Sequence, residues 1–511
     1  MRNLRSTVPR LAAAALAAFL GLGAADSPWR LSDEGRRTLD LVTADSLRGH
    51  LSFLASDALG GRVNGSAGLD IAAEYVAAQM RRAGLEPIGD DAYFQTAPGA
   101  VATPRRDEFH FSVSAREGTV DVPPEAFQMT TVEAVSLTDA EVVKVPFGQR
   151  QGLDVVAGRV VITERPEIPA APARTDTPVT SQRWLHELRA HGPALVVVLD
   201  PRLPSPTRYF VEPVLVEPAF RAADRVVITS SPDLARLYAA LPEGRTSGRL
   251  DLRLPEPRRQ EVPLRNVAGL LRGSDPSLAG TYVLVTAHYD GTGPPPGDTG
   301  PDRIWNGAND DGSGTTALLE LASAFARLRP RPRRSIVLMA FFGEEKGLLG
   351  STYYAAHPLV PLEKTVADVN LEHLGRTDSL ERSKAGTASL TGYSFSEVPL
   401  IFEAAGREMG TLVYKDARRS DAFFDASDNY PLAAAGVIAH TVCVVFEDFA
   451  DYHGAGDEWP RIDFANMERT VRMVGAAVLM MADSAEEARW RPEVAEAASY
   501  RQAWQRRRGG E

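Results

Sequence analysis

Cysteine is almost missing from this chain. Its one copy, Cys443, has no partner for an intrachain disulfide, so core packing must hold the fold together. Cys443 lies in the apolar run Val442–Val445, which suits a small buried hydrophobe rather than a nucleophile. A basic excess is missing as well: the formal net charge of -11 leaves no electrostatic footprint for nucleic acid. Beyond the N-terminus no apolar run is long enough to cross a bilayer, so no membrane span is expected in the mature chain. Internal repeats are absent, and nothing in the pattern speaks to oligomeric state.

The first residues stand apart. Arg2, Arg5 and Arg10 precede an apolar run from Leu11 to Ala25 that ends in small residues before Asp26. That order is a secretory signal peptide at residues 1–25, and the run is shorter than the ~20 residues of a spanning helix. It predicts export to the periplasm or the exterior. No cysteine near the cleavage point offers a lipid attachment site.

What remains is ordinary in composition, 44% apolar and 24% charged, hence globular. Its 511 residues exceed one typical core and imply roughly two to three domains. Residues 26–100 read as helical around a loop at Gly60–Ser66. Asp45 or Ser46 is placed to cap a first helix, and a second runs over Ala67–Ala83 until Gly84 stops it. From 101 to 260, proline-dense pieces alternate with short β-like runs at Val160–Thr163, Ala194–Leu199 and Val226–Thr229, with one helix near Ser181–His191. This predicts a smaller inserted α+β or β module without metal-ligand clusters. From 261 to 485 strands and helices alternate, which predicts an α/β fold. Its sheet would be doubly wound and mostly parallel, with helices on both faces. The charged tail at 486–511 is compatible with a solvated helix or a frayed end.

The chemistry sits in five short clusters of the second half. They are Val285-Thr-Ala-His288-Tyr-Asp290, Asn306-Gly-Ala-Asn-Asp310-Asp311-Gly-Ser-Gly314, Phe341-Phe-Gly-Glu344-Glu345-Lys-Gly347, Val369-Asn-Leu-Glu372-His-Leu-Gly375 and Asp451-Tyr-His453-Gly-Ala-Gly-Asp457. Each alone has a plain structural reading: a satisfied core histidine, a solvated charge pair, a helix cap. Together they suit the carboxyl end of an open α/β sheet, where such folds build their sites: His288, Glu344, Glu345 and Glu372 at predicted strand ends, His453 in the loop a few residues after one, and Asp310 at the mouth of a helix. Nitrogen and carboxylate donors in this number suit zinc, and a neighbouring carboxylate is needed to move a proton. His357, His373 and His440 read as structural or peripheral, with His373 set apart by its place beside Glu372. Tyr289 and Trp459 are candidates for a pocket wall or for packing.

With these clusters the chain resembles the co-catalytic zinc exopeptidases that include secreted bacterial leucyl-type aminopeptidases and glutamate carboxypeptidases. "FLASDALGGRVNGSAGLDIAAEYVAAQMRRAGLEP" (53–87) is similar to the family's opening helices, and "RNVAGLLRGSDP" (265–276) to the strand and turn before its first ligand. The insert resembles a protease-associated domain. The resemblance implies two zinc ions, one bound by His288 and Glu372, the other by Glu345 and His453, with Asp310 bridging. It further implies Glu344 as general base, Asp290 as the group orienting His288, and hydrolysis of N-terminal residues from peptides by a metal-bridging hydroxide. Two departures stand out: Glu372 replaces the family's aspartate with an arm one methylene longer, and Ser427-Asp428-Asn429 has Asn where the family has His. A glutaminyl cyclase-like acyltransferase with a single zinc, or an inactive receptor-like relative, are the alternative readings.

Overall fold

The computed structural model describes residues 28–509, apart from 104, 106–107, 129–133, 166–183, 186–187, 202–212, 217–224, 295–299, 378–384 and 447–448. The expected signal peptide lies outside the described residues, as do 181–183 and 186–187 of the helix expected near Ser181–His191, whose residues 184–185 and 188–189 are helical. Among the described residues the larger of two sheets has ten strands. Nine of them are β1 (Phe94–Thr103), β2 (Pro213–Leu215), β3 (Arg258–Leu271), β4 (Tyr282–His288), β5 (Ser335–Phe341), β6 (Thr365–Leu371), β7 (Thr387–Leu390), β8 (Leu412–Val413) and β9 (Ala439–Cys443). Their order across the sheet is β8-β7-β9-β6-β4-β5-β3-β1-β2, and Glu86–Pro87 adds a short tenth strand beside β3.

At the centre of this sheet, β5, β4, β6 and β9 run parallel. Every residue of β5, β6 and β9 is buried, as strands covered on both faces must be. The flanks are antiparallel. β3 pairs with β5 on one side and with β1 on the other, and β9 pairs antiparallel with β7. β3 is therefore much longer than the run Asn266–Leu271 that its apolar pattern marks: from Arg258 to Val267 it pairs with β1 in a ribbon.

Helices cover both faces. Against one lie α1 (Ala44–Leu54), α2 (Ala67–Ala83), α3 (Ser313–Phe325) and, after three more α-helices in the chain, the long Phe464–Asp483 helix, all in mutual contact through α3. On the other face α4 (Leu349–Ala356) packs against the short Asn429–Ala434 helix. The cap of α1 is Thr43, whose hydroxyl accepts the Ser46 N–H at 3.2 Å, so the helix begins a residue or two before the expected cap. Ser66 caps α2 and Gly84 ends it at φ +77°.

The second sheet, of eight strands, is formed by residues 110–254 and has its own apolar clusters on either side. β2 leaves that stretch of chain and adds an edge strand to the large sheet beside β1. At the C-terminus, Ala498–Arg507 is helical and docked rather than frayed. Trp490 and Tyr500 are buried and meet Phe424, with Tyr500 and Phe424 centroids 4.9 Å apart. Burying an aromatic side chain removes roughly 150–250 Å² from water, worth about 4–6 kcal/mol before entropy is counted, which outweighs the tail's charged composition.

Candidate metal centre

The chain leaves β4 for β5 on one side and later reaches β6 on the other. The carboxyl ends of β4 and β6 therefore border a point where the winding reverses, the crevice that doubly wound sheets use for ligands. His288 is the last residue of β4, and Glu372 follows β6 directly. Asp310 and Asp311 enter before α3, joined by a cis peptide bond. Glu344 and Glu345 form a tight turn after β5, which Gly343 enters at φ +68°.

Geometry brings the expected donors together. His288 Nε2 lies 3.3 Å from Asp310 Oδ1 and 3.9 Å from Glu372 Oε1. His453 Nε2 lies 3.1 Å from both Asp310 Oδ2 and Glu345 Oε2. Two donor groups result, His288–Asp310–Glu372 and Asp310–Glu345–His453, each with its atoms within 4.8 Å of one another. Asp310 belongs to both, one oxygen to each. Glu344 Oε2 stands 3.9 Å from His288 Nε2, at the edge of the first group.

Surrounding groups hold these side chains in place. Asp290 is fully buried; its Oδ1 is 3.4 Å from His288 Nδ1 and accepts the Glu344 N–H at 3.1 Å, while Oδ2 accepts the Glu345 N–H and the Asn64 amide. Asp311 accepts the Gly314 N–H at 2.8 Å and so caps α3. Gly314 is required there, because a Cβ would lie 2.2 Å from Leu371 O and 2.4 Å from Asp311 Oδ2. Asp457 accepts the N–H groups of Asn309 and Asp310, fixing the backbone behind the shared carboxylate. Arg376 binds Asp451 at 2.7 Å and lies over the Phe449 ring, which secures the loop carrying His453.

Arg62 had no visible signal in its own segment. Its side chain is buried, and its guanidinium donates to Tyr289 O, Leu54 O, Asn306 O and Gly307 O at 2.6–3.0 Å. One residue thus ties the N-terminal loop to the segments after β4 and before α3. Gly61 allows this: it takes φ +75°, and a Cβ there would lie 2.5 Å from Trp305 O. Tyr289 is a packing residue, fully buried with its hydroxyl on Arg265 O. In the Ser427-Asp428-Asn429 stretch, the Asn429 amide is spent internally on Phe424 O and Thr441 Oγ1. His373, which read as structural or peripheral, reaches the site: its Nε2 is 3.4 Å from Asp310 Oδ1.

The charges ask for a cation. Burial pulls the His288 imidazole down, yet Glu344, Asp290 and Asp310 outweigh it and hold the group well above its usual range. Burial likewise opposes protonation of His453, but Asp310 and Glu345 push it up to about 10. Burial drives Glu344 and Asp311 well up in turn. Buried carboxylates in such number need positive charge beside them. Both ring nitrogens of His288 and Nε2 of His373 are buried without a hydrogen-bond partner. Nitrogen and carboxylate donors at these separations fit zinc.

This fold and donor set form a candidate metal centre on an open α/β sheet. Residues 266–478 match the family model for Peptidase family M28. It is similar to a probable zinc metalloprotease of Pyrenophora tritici-repentis, 26% identical over 258 residues that cover 44% of this chain and 58% of the relative. It is also similar to a vacuolar membrane protease of Tuber melanosporum, 29% identical over 167 residues, 32% of this chain and 15% of that one. The chain thus spans 15–58% of the length of these curated relatives. Among solved structures, an aminopeptidase from Aneurinibacillus sp. strain AM-1 shares the fold at a TM-score of 0.54, with 19% identity over 89% of this chain and 97% of that one.

One expectation is corrected here. A periplasmic or extracellular address rested on residues 1–25, which lie outside the described residues. Fungal relatives named vacuolar membrane proteases contradict it. Among the described residues no helix is long and apolar enough to cross a membrane.

Proposed function

We propose that this chain is a zinc-dependent exopeptidase of aminopeptidase type, which removes N-terminal residues from peptides. The observation that carries this reading is the divided Asp310 carboxylate, with Oδ1 facing His288 at 3.3 Å and Oδ2 facing His453 at 3.1 Å. A carboxylate shared in this way suits two ions, with His288 and Glu372 holding one and Glu345 and His453 the other. Zinc in this position supplies acidity to a water and polarises a carbonyl. Glu344 takes the proton of the attacking water and returns it to the leaving amine. Its raised affinity for protons, from burial first and then from Glu372 and Glu345, suits that double task. Asp290 orients His288 and, through the Glu344 and Glu345 N–H groups, the turn that carries both acids.

The catalytic unit in this reading comprises residues 26–100 and 261–485, with 101–260 inserted as a module between them. The β1–β3 ribbon supports the division, since both arms of the insert leave the large sheet along it. A panel of aminoacyl-anilides and N-blocked dipeptides, assayed with added zinc and after chelation, tests the function. Cleavage of free-amine substrates, lost on chelation and restored by zinc, is the expected result. Cleavage of N-blocked dipeptides alone contradicts the aminopeptidase assignment. One zinc per active chain, with cyclisation of N-terminal glutamine, would favour the acyltransferase instead.

A further inference from the structure

His373 occupies an unusual position for a residue beside a candidate ligand. Successive side chains of a strand point to opposite faces, so Glu372 and His373 should diverge where β6 ends. They converge instead: His373 takes φ +53°, and its Nε2 comes within 3.7 Å of Glu372 Oε1. The same nitrogen is 3.4 Å from Asp310 Oδ1. His288 Nε2 approaches these two oxygens at 3.9 and 3.3 Å, so the two imidazoles address one pair of oxygens at matching distances.

Those separations have a simple meaning. Two donors about 2.0–2.1 Å from one zinc at the tetrahedral angle are roughly 3.4 Å apart. A hydrogen bond would bring nitrogen and oxygen to about 2.7–3.2 Å. His373 is 3% exposed, and its Nε2 has no hydrogen-bond partner. The ring is gripped edge-on by Phe449 and Tyr452, at 5.4 and 5.8 Å, a setting that an apolar ring would fill without leaving a buried nitrogen unmatched.

We propose that His373 Nε2 is a fourth protein donor to the ion held by His288, Asp310 and Glu372. The proposal rests on the zinc reading above. It makes the two ions unequal. The first is enclosed by two imidazoles and two carboxylates, a closed set of the kind that retains zinc. The second has Asp310, Glu345 and a single imidazole, His453, whose side chain is 38% exposed, and it keeps an open position. The second ion is therefore the exchangeable one.

The experiment uses the full chain loaded with zinc and dialysed against graded dipicolinate, with zinc per chain measured at each step. His373→Phe keeps the ring volume against Phe449 and Tyr452, and His373→Gln provides a second variant of different shape. The parent should release its ions in two separate steps. In the variants the tighter step should move to lower chelator by at least about ten-fold, the smaller end of what losing even an outer partner of a metal ligand costs. Two unchanged steps in both variants would overturn the role of His373 and leave the zinc reading intact. A parent that binds no zinc would overturn both. A measurement free of substitutions covers the case of misfolded variants. The cobalt-loaded parent should show three exchangeable, contact-shifted imidazole N–H resonances, from His288, His373 and His453, and two would overturn the proposal.

Discussion

Asp290 Oδ1 stands 3.4 Å from His288 Nδ1 while accepting the Glu344 N–H at 3.1 Å. One buried carboxylate thus sets the angle of a metal-facing imidazole and the turn of the proposed base. Asp290→Asn keeps the shape and removes the charge. Zinc affinity and kcat/KM should each fall by about 10–100-fold, as for other carboxylates behind metal-bound histidines. Zinc titration beside steady-state assays checks this; unchanged values for both would exclude the orienting role.

Arg62 predicts an effect on stability. Replacing it with Met removes the donors to Tyr289 O, Leu54 O, Asn306 O and Gly307 O while keeping the buried stem. Unfolding in urea should show a loss of about 3 kcal/mol or more, since buried carbonyls are left without partners. A loss under about 0.5 kcal/mol, the range of ordinary surface changes, would mean that other donors replace the guanidinium.

His440 predicts a pH dependence. It is fully buried between Ser396 Oγ and Thr391 O, and burial lowers its pKa from 6.5 to about 4. Below 6.5 the unfolded chain takes up this proton before the folded one does, so the unfolded state is favoured as pH falls. Stability should therefore be complete above 6.5 and decline towards pH 4, by up to about 3 kcal/mol from this group. Urea unfolding of parent and His440→Gln across that interval checks it. The variant should show a shallower slope, and equal slopes would remove His440 as the cause.

The clusters at 288–290, 344–345 and 372 were readable because each lies next to a strand end, 310–311 because it opens a helix, and 453 because it follows the last buried strand in a loop of acidic and histidine residues. The parallel centre of the sheet was readable for a similar reason, its strands being continuous apolar runs. Arg62 was not. Its four acceptors include Tyr289 and Asn306, more than two hundred residues away, and no local period marks such contacts. His373 was obscured by backbone shape, because an extended register would turn it away from Glu372, and only its positive φ brings the two together. The docked C-terminal helix was hidden by its charged residues, as the anchoring side chains, Trp490 and Tyr500, are isolated in sequence and meet Phe424 only in space.

Glu344 is where the account is most exposed to test. Its carboxylate lies 3.9 Å from His288 Nε2, and its backbone N–H is held by Asp290, so Glu344→Gln should preserve the site while removing the base. The decisive measurement is kcat on an aminoacyl-anilide for parent and Glu344→Gln, with zinc per chain determined on the same samples. The account predicts a fall of about 10²–10⁴-fold at unchanged zinc content. Parent-like turnover by the variant would contradict it.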